Sequence, residues 1–274
     1  MNFDYSFYYN DLLNFIKNRQ PFNPDVVIIL GSGLGSFANS VKKIVSINTS
    51  EIPGYPLSTV AGHNGFLHFA EIGTKKLLLF EGRIHFYEGQ NIESTLLPIF
   101  ISKELFVPNL LCTNAAGGIN PNFSPGDLMI IKDFNSMNLK KDFSKKFGIS
   151  TIGATDNLKK YPDNKLYRKL IDASFEEKVY LKEGSYFWTS GPSYETPAEI
   201  KMMQKFGFDS VGMSTVQEIL LAAIFGISTI AISCITNMAA GIQNQKLNHE
   251  EVIATGKMVE DKFAKLVKRF VTNL

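Results

Sequence analysis

A chain of 274 residues, 45% of them apolar, is long enough to bury one substantial core, and a single α/β domain of this length is ordinary. Lys plus Arg (28) nearly balance Asp plus Glu (26), and the formal charge of +2 comes without a clustered basic stripe, which argues against a nucleic-acid partner and leaves only small anions to bind. Cys112 and Cys234 sit inside apolar runs as small hydrophobes, and the opening residues lack the pattern of a secretory signal, so a reducing cytoplasm is the expected location.

Residues 7–19 place Tyr8, Leu12, Phe15 and Ile16 at helical spacing, and Pro21 and Pro24 close that helix. Val26 to Leu30 is a continuous apolar run ending at Gly31, the pattern of a strand covered on both faces. Strands over 65–72 and 75–81, joined by the tight Gly73-Thr74 turn, make part of the sheet antiparallel, so a mixed sheet is expected. Further strands are predicted at 109–113, 127–132, 179–189, 209–212 and 228–235, with helices at about 93–105, 164–176, 197–206, 215–225 and 249–270. Strands alternating with helices, without repeat or linker, give one α/β domain over residues 1–274. The uncharged run Ile219 to Ile235 approaches the length of a membrane span, but Gly226 divides a helix-like half from a β-branched half. A buried helix and a buried strand are therefore expected there, and no membrane segment. Residues 133–163, polar and rich in Lys and Asn, carry no periodic signal and read as an atypical loop or interface segment.

Five segments carry candidate chemistry. Gly31 to Ser36 follows a strand, where small residues let backbone N–H groups face an anion; a plain tight turn explains the same glycines. A dinucleotide fingerprint would need a glycine where Ser36 stands. In Glu81 to Gly89, Arg83, His85 and Tyr87 alternate, so in extended chain they share a face on which a guanidinium and a protonated imidazole suit phosphate; the solvent face of an edge strand accounts for them equally. Ser214 and Thr215 precede a helix, where they act as caps or as part of a phosphate site. In Gly191 to Glu199, Thr196, Pro197 and Glu199 form a capping box that leaves Glu195 unexplained; beside Tyr194 it suits a flat heterocycle with N–H donors, or is a solvated loop carboxylate. Asn237 ends an apolar strand, where it meets a ligand or satisfies a turn. His63, His68, His85, His249 and the two cysteines show no metal-ligand spacing, and no G-x-S-x-G nucleophile elbow occurs.

Taken in order, GSGLG at 31–35, GH at 62–63, EGRIHFYEG at 81–89, TNAAGG at 113–118, GPSYET at 191–196, VGMST at 211–215, ITN at 235–237 and NHEE at 248–251 resemble the trimeric purine nucleoside phosphorylase family. The resemblance implies a single-domain α/β fold with a mixed, partly barrel-like sheet, assembled as a homotrimer with active sites near subunit interfaces. By matching motifs, phosphate would be held by Ser32, His63, Arg83, His85, the backbone of Ala115 and Ser214. Tyr87, Met213 and His249 would contact ribose, and Tyr194, Glu195 and Asn237 the base; His249 also stands where Asn248 and Glu251 alone make a helix cap. The family's Gly-Pro-Asn-Asp and Arg-Phe-Pro stretches are not recognisable within 133–163. Tyr161-Pro162 replaces the latter, which makes Tyr161 the candidate for an aromatic that reaches a neighbouring subunit's ribose pocket.

The resemblance further implies phosphorolysis of 6-oxopurine nucleosides in purine salvage, with inorganic phosphate as co-substrate and no cofactor or metal. His85, Glu195 and Asn237 would be the catalytic residues: Asn237 bonds the imidazole-ring nitrogen and 6-oxo group as charge develops, and Glu195 accepts the ring N–H. A phosphorylase for 6-aminopurine nucleosides, including 5′-methylthioadenosine, is the nearest alternative, and Asn237 weighs against it. A dinucleotide-dependent oxidoreductase and a non-catalytic nucleoside binder are the readings from other classes.

Overall fold

The computed structural model describes residues 3–57, 65–148, 152–243 and 248–274. The N-terminal helix forms in two pieces, α1 (Tyr5–Tyr8) and α2 (Asn10–Lys17), with Leu12, Leu13 and Ile16 buried. β1 (Val26–Leu30) is buried throughout, and its alternation serves two cores: Val27 and Ile29 join one, Val26, Ile28 and Leu30 the other. β2 (Lys42–Asn48) pairs antiparallel with β3 (Phe66–Ile72), which turns at Gly73 and Thr74 into β4 (Lys75–Glu81) as expected. In place of one helix at 93–105, α3 (Ile92–Thr95) and α4 (Leu97–Glu104) break at Leu96, just ahead of Pro98, which has no N–H to continue the ladder.

β5 (Asn109–Gly118) and β6 (Leu128–Asn135) both run beyond their predicted ends. The segment 133–163, for which the sequence predicts an atypical loop or interface segment, carries two helices, α5 (Lys140–Phe147) and α6 (Ile152–Leu158). α5 was hidden by its lysines, which leave only Phe143 and Phe147 to bury. α7 (Asn164–Glu176), β7 (Leu181–Trp188), α8 (Pro197–Lys205), β8 (Ser210–Gly212), α9 (Val216–Phe225), β9 (Ser228–Met238) and α10 (His249–Thr272) follow close to the predicted spans.

The nine strands form one sheet in the order β2-β3-β4-β1-β5-β8-β7-β6-β9, and β9 returns to pair parallel with β5. That extra pairing closes β5, β8, β7, β6 and β9 into a barrel-like ring, with β1 to β4 extending from it; parallel and antiparallel pairs mix, as expected. Helices cover both faces. α9 buries Val216, Ile219, Leu220 and Leu221 in one core, and α10 buries Val259, Phe263, Leu266, Val267 and Phe270 in the other. The uncharged run 219–235 is thus a buried helix ended by Gly226 in the left-handed region, then a buried strand, and no described helix is long and apolar enough to cross a membrane.

The loop after β1 meets α10 backbone to backbone. A Cβ on Gly33, whose φ is +77°, would lie 2.7 Å from the Val252 carbonyl oxygen, and one on Gly256 would lie 2.2 Å from the oxygen of Gly33. These glycines therefore serve a turn and a close approach, and the approach places Ser32 on the wall of a cleft.

Candidate active site

The cleft opens at the carboxyl ends of β1, β4, β5 and β9, where ligands collect in sheets of this kind, and holds about 710 Å³ including its mouth. Segments far apart in sequence converge there: Ser32, then Arg83, His85 and Tyr87, Ala115 to Gly117, Tyr194 and Glu195, Met213 and Ser214, and Asn237. The structure brings together these ten sequence-predicted site residues, counting Ala115 from the β5 stretch. His63 lies outside the described residues, and so does the side chain of His249; its backbone opens α10, where Asn248 caps the helix by accepting the Glu251 N–H at 2.9 Å.

Arg83 is all but sealed from solvent, with its side chain 1% exposed. Its Nε and Nη2 donate to the two carboxylate oxygens of Glu218 at 3.1 and 2.9 Å, and Nη1 donates to the Thr113 carbonyl at 2.7 Å. Burial pulls the guanidinium pKa down, and the charge and hydrogen bonds of Glu218 more than offset it, leaving a net rise. Removing either partner would strand a buried charge, at about 3–5 kcal/mol. The Thr113 hydroxyl accepts from the Gly31 N–H at 3.1 Å and donates to the Ile29 carbonyl at 3.0 Å, so one residue of β5 ties the glycine loop to the arginine.

Arg83, His85 and Tyr87 do converge, although not along an extended strand. The chain leaves β4 at Glu81 and turns through a short 3-10 helix at Phe86–Glu88, and the His85 and Tyr87 rings stack at 4.8 Å. The His85 backbone N–H donates to Glu88 Oε1 at 2.7 Å, and its Nδ1 lies 3.2 Å from the same oxygen. A carboxylate partner places the proton of the neutral ring on Nδ1. Burial lowers the His85 pKa, the Glu88 hydrogen bond opposes this and the Arg83 charge adds to it, so the neutral ring is favoured at pH 7; the protonated imidazole expected from the sequence is not the resting form. Burial also pushes the Tyr87 hydroxyl up to about 12.

Ser214 sits at a strained corner. Thr215 has φ +77° and ψ −45°, and the Val216 N–H bonds back to the Ser214 carbonyl at 2.9 Å, a γ-turn that costs a β-branched residue about 1–3 kcal/mol. Thr215 stands at the helix cap position without a capping bond, so capping, one of the two readings of the sequence, does not account for it; its hydroxyl instead accepts from Asn114 Nδ2 at 2.9 Å. That bond, with the Ser214 hydroxyl 3.2 Å from it, holds the corner against the cleft.

The capping box of α8 forms as expected from Thr196 and Glu199, and Glu195 lines the cleft just before it. Thr189 donates to Glu195 Oε1 at 2.7 Å, a partner that the sequence did not announce. Asn237 faces Glu195's cleft because the register of β5 against β9 slips by one between Ala116 and Gly117, leaving Thr236 unpaired opposite them and re-aiming the next side chain. Tyr194 is 43% exposed at the mouth.

Tyr161 is placed elsewhere. Its hydroxyl donates to the Ile131 carbonyl at 2.9 Å, its ring meets Phe134 edge-on, and it lines a separate hollow with Asn157 and Asp163. Within the chain it packs against β6. Glu218, the buried partner of Arg83, was missed from sequence, although one signal existed: a lone carboxylate heading an uncharged, buried helix requires a buried cation.

A family model described as the phosphorylase superfamily matches residues 25–272. Purine nucleoside phosphorylase 1 of Geobacillus stearothermophilus is 41% identical over 269 residues, with 95% of each chain covered. Among solved structures, Schistosoma mansoni purine nucleoside phosphorylase in complex with inosine aligns with a TM-score of 0.86 at 32% identity, covering 97% of this chain and 96% of that one. The same enzyme in complex with adenosine aligns with a TM-score of 0.86 at 32% identity, covering 96% of each.

Proposed function

Because the chain belongs to the phosphorylase superfamily, as one of its purine nucleoside phosphorylases, we propose that it splits 6-oxopurine ribo- and deoxyribonucleosides such as inosine and guanosine with inorganic phosphate. The products are the free base and (deoxy)ribose 1-phosphate, and the role is purine salvage. The observation that carries the reading is one cleft lined both by anion donors and by a carboxylate and a carboxamide. Ser32, Arg83, His85, the Ala115 backbone and Ser214 hold phosphate, each a hydroxyl, a cation, a backbone N–H or an imidazole. Tyr87 and Met213 serve as walls for ribose, and Tyr194, Glu195 and Asn237 receive the purine.

In this reading phosphate waits beneath the anomeric carbon while the glycosidic bond weakens to an oxocarbenium-like ribose. Positioning and electrostatics supply most of the acceleration. Asn237 donates to the 6-oxo group as charge develops on the base, and Glu195 accepts the neighbouring ring N–H. The chemistry needs no cofactor or metal; phosphate is the co-substrate. We further propose a homotrimer in the cytoplasm.

A second reading, cleavage of 6-aminopurine nucleosides, draws support from the adenosine complex of the Schistosoma relative. One assay separates these possibilities. Purified protein is incubated with inosine, guanosine or adenosine, with and without phosphate, and base release is followed. Phosphate-dependent release from inosine and guanosine, with adenosine much slower, is expected; release without phosphate would make it a hydrolase, and equal use of adenosine would remove the 6-oxo preference. Sedimentation at three times the monomer mass is the expected result for the assembly, and a monomer or dimer would reject it.

A further inference from the structure

We propose that Glu218 is a positioning residue that sets phosphate affinity through Arg83 while not lining the cleft itself; the inference rests on the phosphorolysis reading. The carboxylate is 1% exposed and engages the guanidinium side-on with both oxygens, which fixes the plane of the arginine whose other surface forms part of the cleft wall. The anchor is rigid. Glu218 is the third residue of α9, a fully buried helix turn, where the positive end of the helix dipole favours a carboxylate. Its charge is felt nearby: burial raises the pKa of the Cys112 thiol and of the Tyr55 hydroxyl, and Glu218 raises both further.

By charge alone, this placement is unfavourable to function. A carboxylate bonded to the only described cation on the cleft wall cancels the attraction that the arginine would offer an anion. Orientation is what it supplies in return, since a planar fork held in one pose loses less entropy on bonding phosphate than a mobile one. The two effects have opposite signs, and this makes the role measurable. If Glu218 acts as a charge, neutralising it tightens phosphate; if it positions Arg83, neutralising it loosens phosphate.

The test is Glu218→Gln, which keeps the shape but turns one acceptor into a donor that faces an arginine N–H. Steady-state kinetics with inosine and phosphate varied independently should show KM for phosphate raised about tenfold or more, with KM for inosine within about twofold and kcat at saturating phosphate largely kept. A lowered or unchanged phosphate KM overturns the proposal, and so does an equal loss toward both substrates, the signature of a merely structural role. Should Glu218→Gln fail to fold, Glu218→Asp keeps the charge and breaks the side-on geometry. A raised phosphate KM is again expected, and a wild-type value overturns the positioning role. Wild-type protein is the control for the underlying reading: base release without phosphate would end the phosphorolysis reading itself, whereas phosphate-dependent wild type with unaltered variants rejects Glu218 alone.

Discussion

Asn237 owes its place to the slipped register of β9, and its chemistry to the two ends of an amide. A 6-oxopurine presents an acceptor oxygen beside a donor N–H, which match an amide N–H from Asn237 and the carboxylate of Glu195, whose Oε1 is already steadied by Thr189. Adenine reverses both groups, and leaving buried polar groups unmatched costs far more than swapping a methylene. Asn237→Asp should therefore lower kcat/KM for inosine and guanosine by about a hundredfold, roughly 2.7 kcal/mol, while adenosine cleavage becomes measurable. Wild-type efficiency on inosine in that variant would place the base elsewhere. His85 gives a prediction of a different kind. Its folded pKa lies below the ordinary imidazole value because of burial, so as pH falls through about 6.5 the unfolded chain takes up a proton before the folded one does. That contribution to stability is fully present above this pH and declines below it. Urea midpoints between pH 7.5 and about 5.5 should fall less steeply for His85→Asn than for wild type; parallel slopes would show that the imidazole is not depressed.

At the scale of elements, α10 and the loop after β1 show how a local rule can reverse. Ala in place of Gly ordinarily stabilises a helix by about 0.5–1 kcal/mol. At Gly256 the new Cβ would lie 2.2 Å from the Gly33 oxygen, with backbone on both sides, so helix or loop must shift. Gly256→Ala should lower stability instead and, by moving Ser32, raise KM for phosphate more than KM for inosine; a stabilised variant with normal kinetics would refute the coupling. The sequence disclosed α10 and β1 because their burial is continuous or strictly periodic. β2 escaped because it is a half-exposed edge strand, and α5 because its lysines outnumber its buried positions. In the site, the donors were legible as residue types at strand ends. Their bonds were not: Arg83 and Glu218 stand 135 residues apart, and neither the γ-turn at Thr215 nor the slip in β9 leaves a local mark.

For the molecule as a whole, the donors proposed for phosphate come together only when β1, β4, β5 and the β8–α9 corner are assembled, so an anion held by them must stabilise the entire fold. Linkage fixes the size: phosphate at a hundred times its dissociation constant adds about 2.7 kcal/mol, and for a domain somewhat larger than 150–250 residues each kcal/mol raises Tm by about 2–4 °C at most. A thermal shift of about 5 °C is expected on adding saturating phosphate to the nucleoside-free protein, and chloride at equal ionic strength should give none. Ser214→Ala refines the test because it removes one neutral donor and leaves the Asn114–Thr215 bond that holds the corner. The loss of one such hydrogen bond is worth about 0.5–1.5 kcal/mol, so the variant should melt near the wild-type temperature without phosphate and need several-fold more phosphate for the same shift. Scanning fluorimetry across a phosphate series decides it. A wild-type phosphate response in Ser214→Ala would take that hydroxyl out of the anion site, and no response in wild type would mean that the cleft does not hold phosphate before the nucleoside arrives.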